Sequence, residues 1–126
     1  NCELEALLAG ADVVSLHLPL TPETERILDP RRMKRGAILV NTARGALVQE
    51  EHLAACLREG HVAAAGLDVF VHEPPAAGHP LLALPNVVGT PHLAWLTRET
   101  LERSIEAAAR NVRNLSEGLP LENRVP

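Results

Sequence analysis

Residues 36–48 read GAILVNTARGALV, and this stretch decides the predicted fold. An apolar run that includes β-branched residues, Ala37 to Val40, is followed directly by a polar segment, Asn41 to Gly45. A short run that is apolar throughout, rather than alternating, is typical of a strand with helices on both of its faces. The stretch therefore predicts a buried strand of a parallel sheet, with a polar loop at its carboxyl end.

Three further apolar runs lie around this strand. Each of them has a helical pattern before or after it, and strands that alternate with helices are typical of an α/β fold. These runs are Val13 to Leu16, Val62 to Val69 and Val87 to Gly89. We therefore predict an α/β fold with a parallel sheet that helices cover on both faces.

The residues at their ends mark the predicted helices. N-cap residues, first-turn prolines and acidic residues favour helix starts, and glycine favours helix ends. Five helical segments are predicted in this way. The first begins at Thr21-Pro22-Glu23, the second follows Asp29-Pro30 and ends at Gly36, and the third runs from Glu50 to Glu59 before Gly60. The fourth is a short turn from Leu81 to Leu84, and the last runs from about Thr97 to Glu117. The longest one carries an apolar stripe from Leu101 to Leu115, which we expect to lie in the core.

Composition excludes several classes of protein. Apolar residues make up 46% of the 126 residues, charged residues 22%, and the net charge is -4, which offers no basic surface for nucleic acid. No long apolar segment is present, so we expect no membrane span and a cytoplasmic protein. Cys2 and Cys56 form no CxxC pair, so no metal site is predicted.

Polar and ionisable residues follow each predicted strand. The carboxyl ends of parallel strands meet at one edge of the sheet, where ligands bind. The residues expected there are His17-Leu18-Pro19, the segment Asn41 to Gly45, Asp68 with Glu73, and Thr90-Pro91-His92. An arginine, two acids and a histidine at one edge indicate a site that binds an anion and moves a proton.

Four motifs in this order resemble the D-isomer-specific 2-hydroxyacid dehydrogenases. The motifs are ADVVSLHLPLTPET from residue 11, GAILVNTARGALV from residue 36, GLDVFVHEPP from residue 66 and VVGTPHLAWLT from residue 87. The resemblance implies a partial Rossmann-type, doubly wound parallel sheet: residues 1–118 would form the C-terminal portion of an NAD-binding domain. Residues 119–126 would be a linker toward a substrate domain.

The resemblance also implies roles for three residues. Arg44 matches the arginine that grips the substrate carboxylate, a task that suits the guanidinium fork. His92 matches the general acid and base, and Glu73 matches the carboxylate that pairs with this imidazole. Trp95 would narrow the substrate pocket. The PHLAW form that contains it is similar to the glycerate dehydrogenase and hydroxypyruvate reductase branch, and also to the C-terminal-binding-protein corepressors.

The implied cofactor is NAD, and NADP stays open. Asp68 would bond the nicotinamide carboxamide. The full set of expected cofactor contacts is Leu18, Pro19, Thr42, Ala43, Arg44, Asp68, His92 and Ala94. No two of the eight glycines are separated by a single residue, so the sequence contains no GxGxxG. We expect the family's phosphate-binding glycine loop to lie before Asn1.

Plainer interpretations of these residues stay open at this point. Asp68 could start a turn, Arg44 could be an exposed turn residue, and Trp95 could be a core residue. The remaining histidines are expected in loops or at the surface with no role. They are His17, His52, His61, His72 and His79.

The leading hypothesis is therefore that the chain is part of an oxidoreductase, one that transfers hydride between NAD(H) and a small D-2-hydroxy acid or 2-keto acid. We expect a homodimer of the full-length protein. The alternatives are a dinucleotide-sensing protein like the corepressors, or an inactive fragment. We also expect an unprotected sheet edge at Val13 to Leu16, which would make the isolated chain prone to association.

Overall fold

The computed structural model describes residues 2–124. Residue 1 and residues 125–126, the last two of the predicted linker, lie outside the described residues. Two compact units are present, Asn1–Leu93 and Ala94–Pro126. In chain order the elements are α1 (Leu4–Gly10), β1 (Val13–Leu16), a 3₁₀ helix (Pro30–Arg32), β2 (Ala37–Asn41), a second 3₁₀ helix (Gly45–Leu47), α2 (Glu50–Arg58), β3 (Val62–Leu67), β4 (Val87–Gly89) and α3 (Arg98–Glu117).

The first unit is built on one parallel sheet with the strand order β1-β2-β3-β4. This confirms the predicted α/β class, and the strands begin at the predicted residues. β3 ends at Leu67, two residues earlier than predicted, because the chain leaves the sheet at Asp68. β1 is an edge strand among the described residues, as expected, while association through it stays a prediction. Since the strands are parallel, their carboxyl ends meet at a single edge.

The core lies on one face of the sheet. Leucines of α1 and α2 pack there against strand side chains that share this face, and these residues are almost completely buried. They include Leu8 of α1, Leu53 and Leu57 of α2, and Val14, Leu39 and Val62 of the strands. Burying a side chain of this size stabilises the fold by about 1.5–3 kcal/mol.

The opposite side of the sheet, which we call the bare face, is exposed. It carries Val13, Ile38 and Val88, and the Val88 side chain is 70% exposed. Buried and exposed positions alternate along β1. Within the first unit, the expected helices are therefore found on one face of the sheet only. Both α1 and α2 pack on the core side.

Two of the predicted helices are not formed as expected. The segment after Thr21 makes a single turn, in which Glu25 N–H donates to the Thr21 carbonyl at 2.9 Å. Arg26 then adopts a left-handed φ of 55°, and Leu28 pairs with Val48, which prevents the helix from continuing. The helix after Asp29 is the first 3₁₀ helix, which ends at Arg32 rather than at Gly36. Residues 81–84 form a turn, as predicted, and α2 matches its predicted range closely.

The second unit contains α3, whose ends agree with the prediction. Thr97 caps the helix by accepting the Thr100 N–H at 3.1 Å, and Gly118 ends it with a φ of 68°. The prediction that its apolar stripe lies in the core is wrong, because α3 has no buried residue and Val112 is 71% exposed. The stripe shows that one side of the helix is apolar, but it does not say what covers that side.

Candidate active site

Asn41 organises the loop that follows β2. Its side chain is buried, its amide donates to the Arg44 carbonyl at 2.9 Å, and its carbonyl oxygen accepts the Ala43 N–H at 3.1 Å. These two bonds close a tight loop that leaves Thr42 and Arg44 exposed at the sheet edge. Sequence reasoning assigned no role to Asn41. An asparagine directly after an apolar strand was the available signal, since this side chain often bonds the backbone of its own turn.

Asp68 is buried where β3 ends. Its backbone N–H donates to the Asn41 carbonyl at 3.0 Å, which ties the loops after β2 and β3 together. Its carboxylate Oδ1 accepts the Leu93 N–H at 2.8 Å and the hydroxyl of Thr90. A buried carboxylate needs such donors, because an unpaired charge in this position would be costly. Asp68 therefore holds the loop that follows β4.

His92 occupies that loop in a left-handed conformation, with a φ of 57°. For a residue other than glycine, this conformation costs about 1–2 kcal/mol. The His92 N–H donates to the Asp68 carbonyl at 2.9 Å, next to the Leu93 bond to the Asp68 carboxylate. These bonds offset the strain and fix the direction in which the imidazole leaves the backbone. The role of Asp68 toward a cofactor stays a prediction.

Glu73 and His92 form a hydrogen-bonded pair. The distance between Glu73 Oε2 and His92 Nδ1 is 2.8 Å, which confirms the predicted geometry. The other carboxylate oxygen, Oε1, accepts the Phe70 N–H at 3.0 Å. The carboxylate is thus held at both oxygens, by the ring on one side and by its own loop on the other.

The pKa of the Glu73 carboxyl lies below its ordinary value. The main cause is the hydrogen bond with His92, followed by the Phe70 N–H, and the charge of Arg44 lowers the pKa further. Glu73 is therefore ionised at neutral pH and acts as an acceptor. An acceptor at Nδ1 holds the neutral ring in the tautomer with its proton on that nitrogen, so Nε2 is the atom that exchanges protons.

Arg44, Glu73 and His92 line one cavity of about 350 Å³, together with Leu20 and Phe70. A larger cavity of about 490 Å³ lies beside it and shares Phe70, Glu73 and His92. Its further lining includes Asp68 and Thr90 but not Arg44. The smaller cavity is the better place for an anion, because only it combines a guanidinium with the imidazole. Arg44, Asp68, Glu73 and His92, which were predicted to meet at this edge, thus line two adjoining cavities.

Gly45 is required by a close approach that the sequence did not reveal. A Cβ atom at this position would lie 2.0 Å from the Phe70 carbonyl carbon and 2.4 Å from the Val71 nitrogen. No side chain fits there unless the backbone moves. Gly45 therefore lets the Arg44 loop pack directly against the segment that leads to Glu73.

The other predicted contact residues are placed as follows. Leu18 and Pro19 are exposed in the loop after β1, and Ala43 is half-buried. Ala94 and Trp95 lie in the second unit, in the turn before α3, and Trp95 is 55% exposed, so the interpretation of Trp95 as a core residue is wrong for this chain. Among residues 2–124, no three His, Cys, Asp or Glu side chains are grouped as metal ligands.

A family model described as the D-isomer specific 2-hydroxyacid dehydrogenase, NAD binding domain, matches residues 1–94. The chain belongs to this family. The resemblance noted in the sequence is therefore confirmed. No helix within residues 2–124 is long and apolar enough to cross a membrane.

Curated relatives of this dehydrogenase domain match almost all of the chain. The hydroxypyruvate reductase of Blautia hydrogenotrophica is 42% identical over 127 residues, covering 96% of the chain and 39% of the relative. The glycerate dehydrogenase of Methylorubrum extorquens is 42% identical over 123 residues, covering 94% of the chain and 39% of the relative. The chain thus spans about two fifths of the length of these relatives.

Solved structures of the family superpose closely on the chain. A Thermus thermophilus protein matches with a TM-score of 0.92 and 55% identity, over 99% of the chain and 41% of that protein. The D-lactate dehydrogenase of Lactobacillus jensenii with NAD⁺ matches with a TM-score of 0.91 and 34% identity, over 99% and 42%. A family member from Xanthobacter autotrophicus in complex with NADPH matches with a TM-score of 0.82 and 42% identity, over 98% and 51%. Structural relatives have therefore bound both nicotinamide cofactors.

Proposed function

We propose that this chain provides the acid–base pair and the anion-binding arginine of an enzyme that interconverts a small 2-keto acid and its D-2-hydroxy acid. The observation that carries the proposal is the Glu73–His92 hydrogen bond at 2.8 Å, in a cavity that Arg44 also lines. A cation for the carboxylate and an imidazole for the neighbouring oxygen are what this reaction needs.

Each of the three residues has one task in the proposed reaction. Arg44 holds the substrate carboxylate and thereby fixes where the carbonyl lies. His92 donates a proton from Nε2 to the carbonyl oxygen during reduction, and takes it back during oxidation. Glu73 keeps the ring oriented by accepting the hydrogen bond from the proton on Nδ1, which leaves Nε2 facing the substrate oxygen. Trp95 is proposed to form an apolar wall of the substrate pocket.

The residues at the sheet edge fit the nicotinamide end of a dinucleotide. Thr42 is exposed at the carboxyl end of β2, and Asp68 lines the larger cavity next to His92. This is the edge at which open parallel sheets bind dinucleotides. We propose further cofactor contacts from Leu18, Pro19, Ala43, Arg44, His92 and Ala94. When bound, the cofactor supplies or accepts the hydride.

The names of the curated relatives favour an enzyme over a dinucleotide-sensing protein, and they point to glycerate and hydroxypyruvate as the kind of substrate. For the whole protein we propose NAD as the cofactor, a homodimer in the cytoplasm, and residues 119–126 as a link to a substrate domain. The isolated chain is proposed to bind NAD weakly and to lack activity, because its sequence has no GxGxxG loop.

A chimera tests the proposed function. In it, this chain replaces the matching 123-residue part of the Methylorubrum extorquens glycerate dehydrogenase. We expect NADH oxidation with hydroxypyruvate or glyoxylate, and none with the isolated chain. A chimera that folds and binds NADH, yet reduces none of the 2-keto acids tried, would contradict the proposal.

A further inference from the structure

The peptide between Phe70 and Val71 connects the two halves of the active site. Gly45 packs against it from the side of Arg44. From the side of His92, Glu73 accepts the Phe70 N–H, which belongs to the preceding Val69–Phe70 peptide. Phe70 joins these two peptides, so a shift of the Phe70–Val71 peptide would also displace the N–H that the Glu73 carboxylate accepts. Groups that hold this peptide therefore also help to hold the acid–base pair.

Glu50, the first residue of α2, holds the same peptide from outside the site. Its Oε1 accepts the Val71 N–H at 3.1 Å. Only 21% of the Glu50 side chain is exposed, against 57% for the neighbouring Glu51, which forms a surface ion pair with Arg26 instead. Both acids lie in the first turn of α2, where the helix dipole favours a negative charge, but only Glu50 bonds to the loop.

His79 lies beside Glu50. Glu50 Oε2 lies 3.6 Å from His79 Nε2, and His79 Nδ1 faces the Leu81 N–H at 3.4 Å. A backbone N–H can only donate, so Nδ1 is the acceptor and the ring hydrogen lies on Nε2, toward the Glu50 carboxylate. The same ring meets the Phe70 ring edge-on, with 5.3 Å between the centroids. His79, predicted as a loop histidine without a role, thus lies against both Glu50 and Phe70.

We propose that Glu50 is a positioning residue for the Glu73–His92 pair, and that His79 orients its carboxylate. This inference rests on the proposed function. Glu50 touches neither substrate nor cofactor in this scheme. It acts by fixing the Phe70–Val71 peptide and thereby Phe70, whose own N–H donates the second hydrogen bond to the Glu73 carboxylate.

The first test needs no activity. Amide exchange of Val71 is measured by NMR in the 126-residue chain and in three variants. We expect Glu50→Ala to speed up the exchange of Val71 and Phe70, and Glu50→Gln to keep most of the protection, because its side-chain carbonyl still accepts the Val71 N–H. Glu51→Ala is the matched control, which should leave both amides unchanged. Equal Val71 exchange in wild type and Glu50→Ala would overturn the proposal.

The second test uses the chimera. Displacement of reacting groups by up to 1 Å costs up to roughly a hundredfold in rate, so we expect Glu50→Ala to lower kcat by about ten- to a hundredfold. KM should change much less, Glu50→Gln should restore most of kcat, and Glu51→Ala should match wild type. His79→Phe keeps an aromatic ring beside Phe70 but removes the ring N–H that faces the Glu50 carboxylate. Because Glu50 itself is retained, kcat should fall less than in Glu50→Ala.

The outcomes separate the two proposals. If the chimera itself reduces no 2-keto acid, the proposed function fails while Val71 exchange still decides the role of Glu50. If the chimera is active but Glu50→Ala and Glu51→Ala have the same kcat, the positioning role is wrong. A loss of kcat that Glu50→Gln does not restore would also contradict it, because this variant retains the acceptor.

Discussion

The carboxyl edge of the sheet and its bare face differ in whether contacts within the first unit hold their side chains in place. At the edge, Asp68 accepts hydrogen bonds from the loop that follows β4, and Glu73 accepts one from its own loop and pairs with the imidazole, so these bonds orient His92. On the bare face, apolar side chains such as Val88 are exposed. The comparison teaches that the geometry of the proposed site is determined locally, by loops of the first unit. The apolar side chains of the bare face, in contrast, are not buried by α1 and α2, which pack on the core face.

The largest effect is expected at the edge. His92→Ala in the chimera removes the proposed proton donor, so kcat should fall by about two to four orders of magnitude. His17→Ala is the matched control, because His17 is an exposed histidine after β1 whose ring bonds to Ser15 at 2.8 Å. Steady-state kinetics with hydroxypyruvate checks the result. Near-normal kcat in His92→Ala would remove His92 from the mechanism.

A pair of variants compares the two faces of the sheet. Leu39→Ala removes a completely buried side chain on the core face and should lower the free energy of unfolding by about 2–5 kcal/mol. Ile38→Ala, one residue earlier on the bare face, should cost less than about 1.5 kcal/mol, because that side chain is already exposed. Urea unfolding of the chain measures both values. Equal losses would show that something covers the bare face.

A further variant tests whether the Arg44 loop packs against the backbone of Phe70 and Val71. Gly45→Ala places a methyl group against the backbone of Phe70 and Val71, so it should cost about 1–3 kcal/mol of stability. In the chimera it should also raise KM, because the Arg44 loop is displaced. Gly10→Ala serves as the control, since a Cβ atom there meets nothing within 4 Å. Unchanged stability and KM in Gly45→Ala would mean that the two loops are not in contact.

The residues that meet at the carboxyl edge could be predicted from the sequence. Which apolar side chains would be exposed on the bare face could not. The ends of parallel strands converge whatever the loops contain, so an apolar run followed by Arg44, Asp68 or His92 was a sufficient signal. The stripe on α3 and the apolar runs indicate which residues avoid water, but not which surface covers them. The helix expected at Thr21 does not form, because the left-handed conformation of Arg26 and the pairing of Leu28 with Val48 override the local cap signal.

Contacts between residues that are far apart in the chain could not be predicted from the sequence either. Gly45 is needed because the Phe70–Val71 backbone approaches it, and these residues are far apart in the chain. The left-handed conformation of His92 depends in the same way on the hydrogen bonds that Asp68 accepts from His92 and Leu93. Neither feature leaves a pattern of spacing or composition that a single sequence reveals.

The titration of Glu73 tests most directly whether the chain alone builds the acid–base pair. Glu73 has a pKa below the unfolded value of about 4.3, so its contribution to stability is present above that pH and is lost as the pH falls through the lower, folded pKa. Carbon-13 NMR of the side-chain carboxyl in the ligand-free chain should give a midpoint below about 4.3, and His92→Ala should raise it. An ordinary midpoint in the wild-type chain that His92→Ala leaves unchanged would contradict the account.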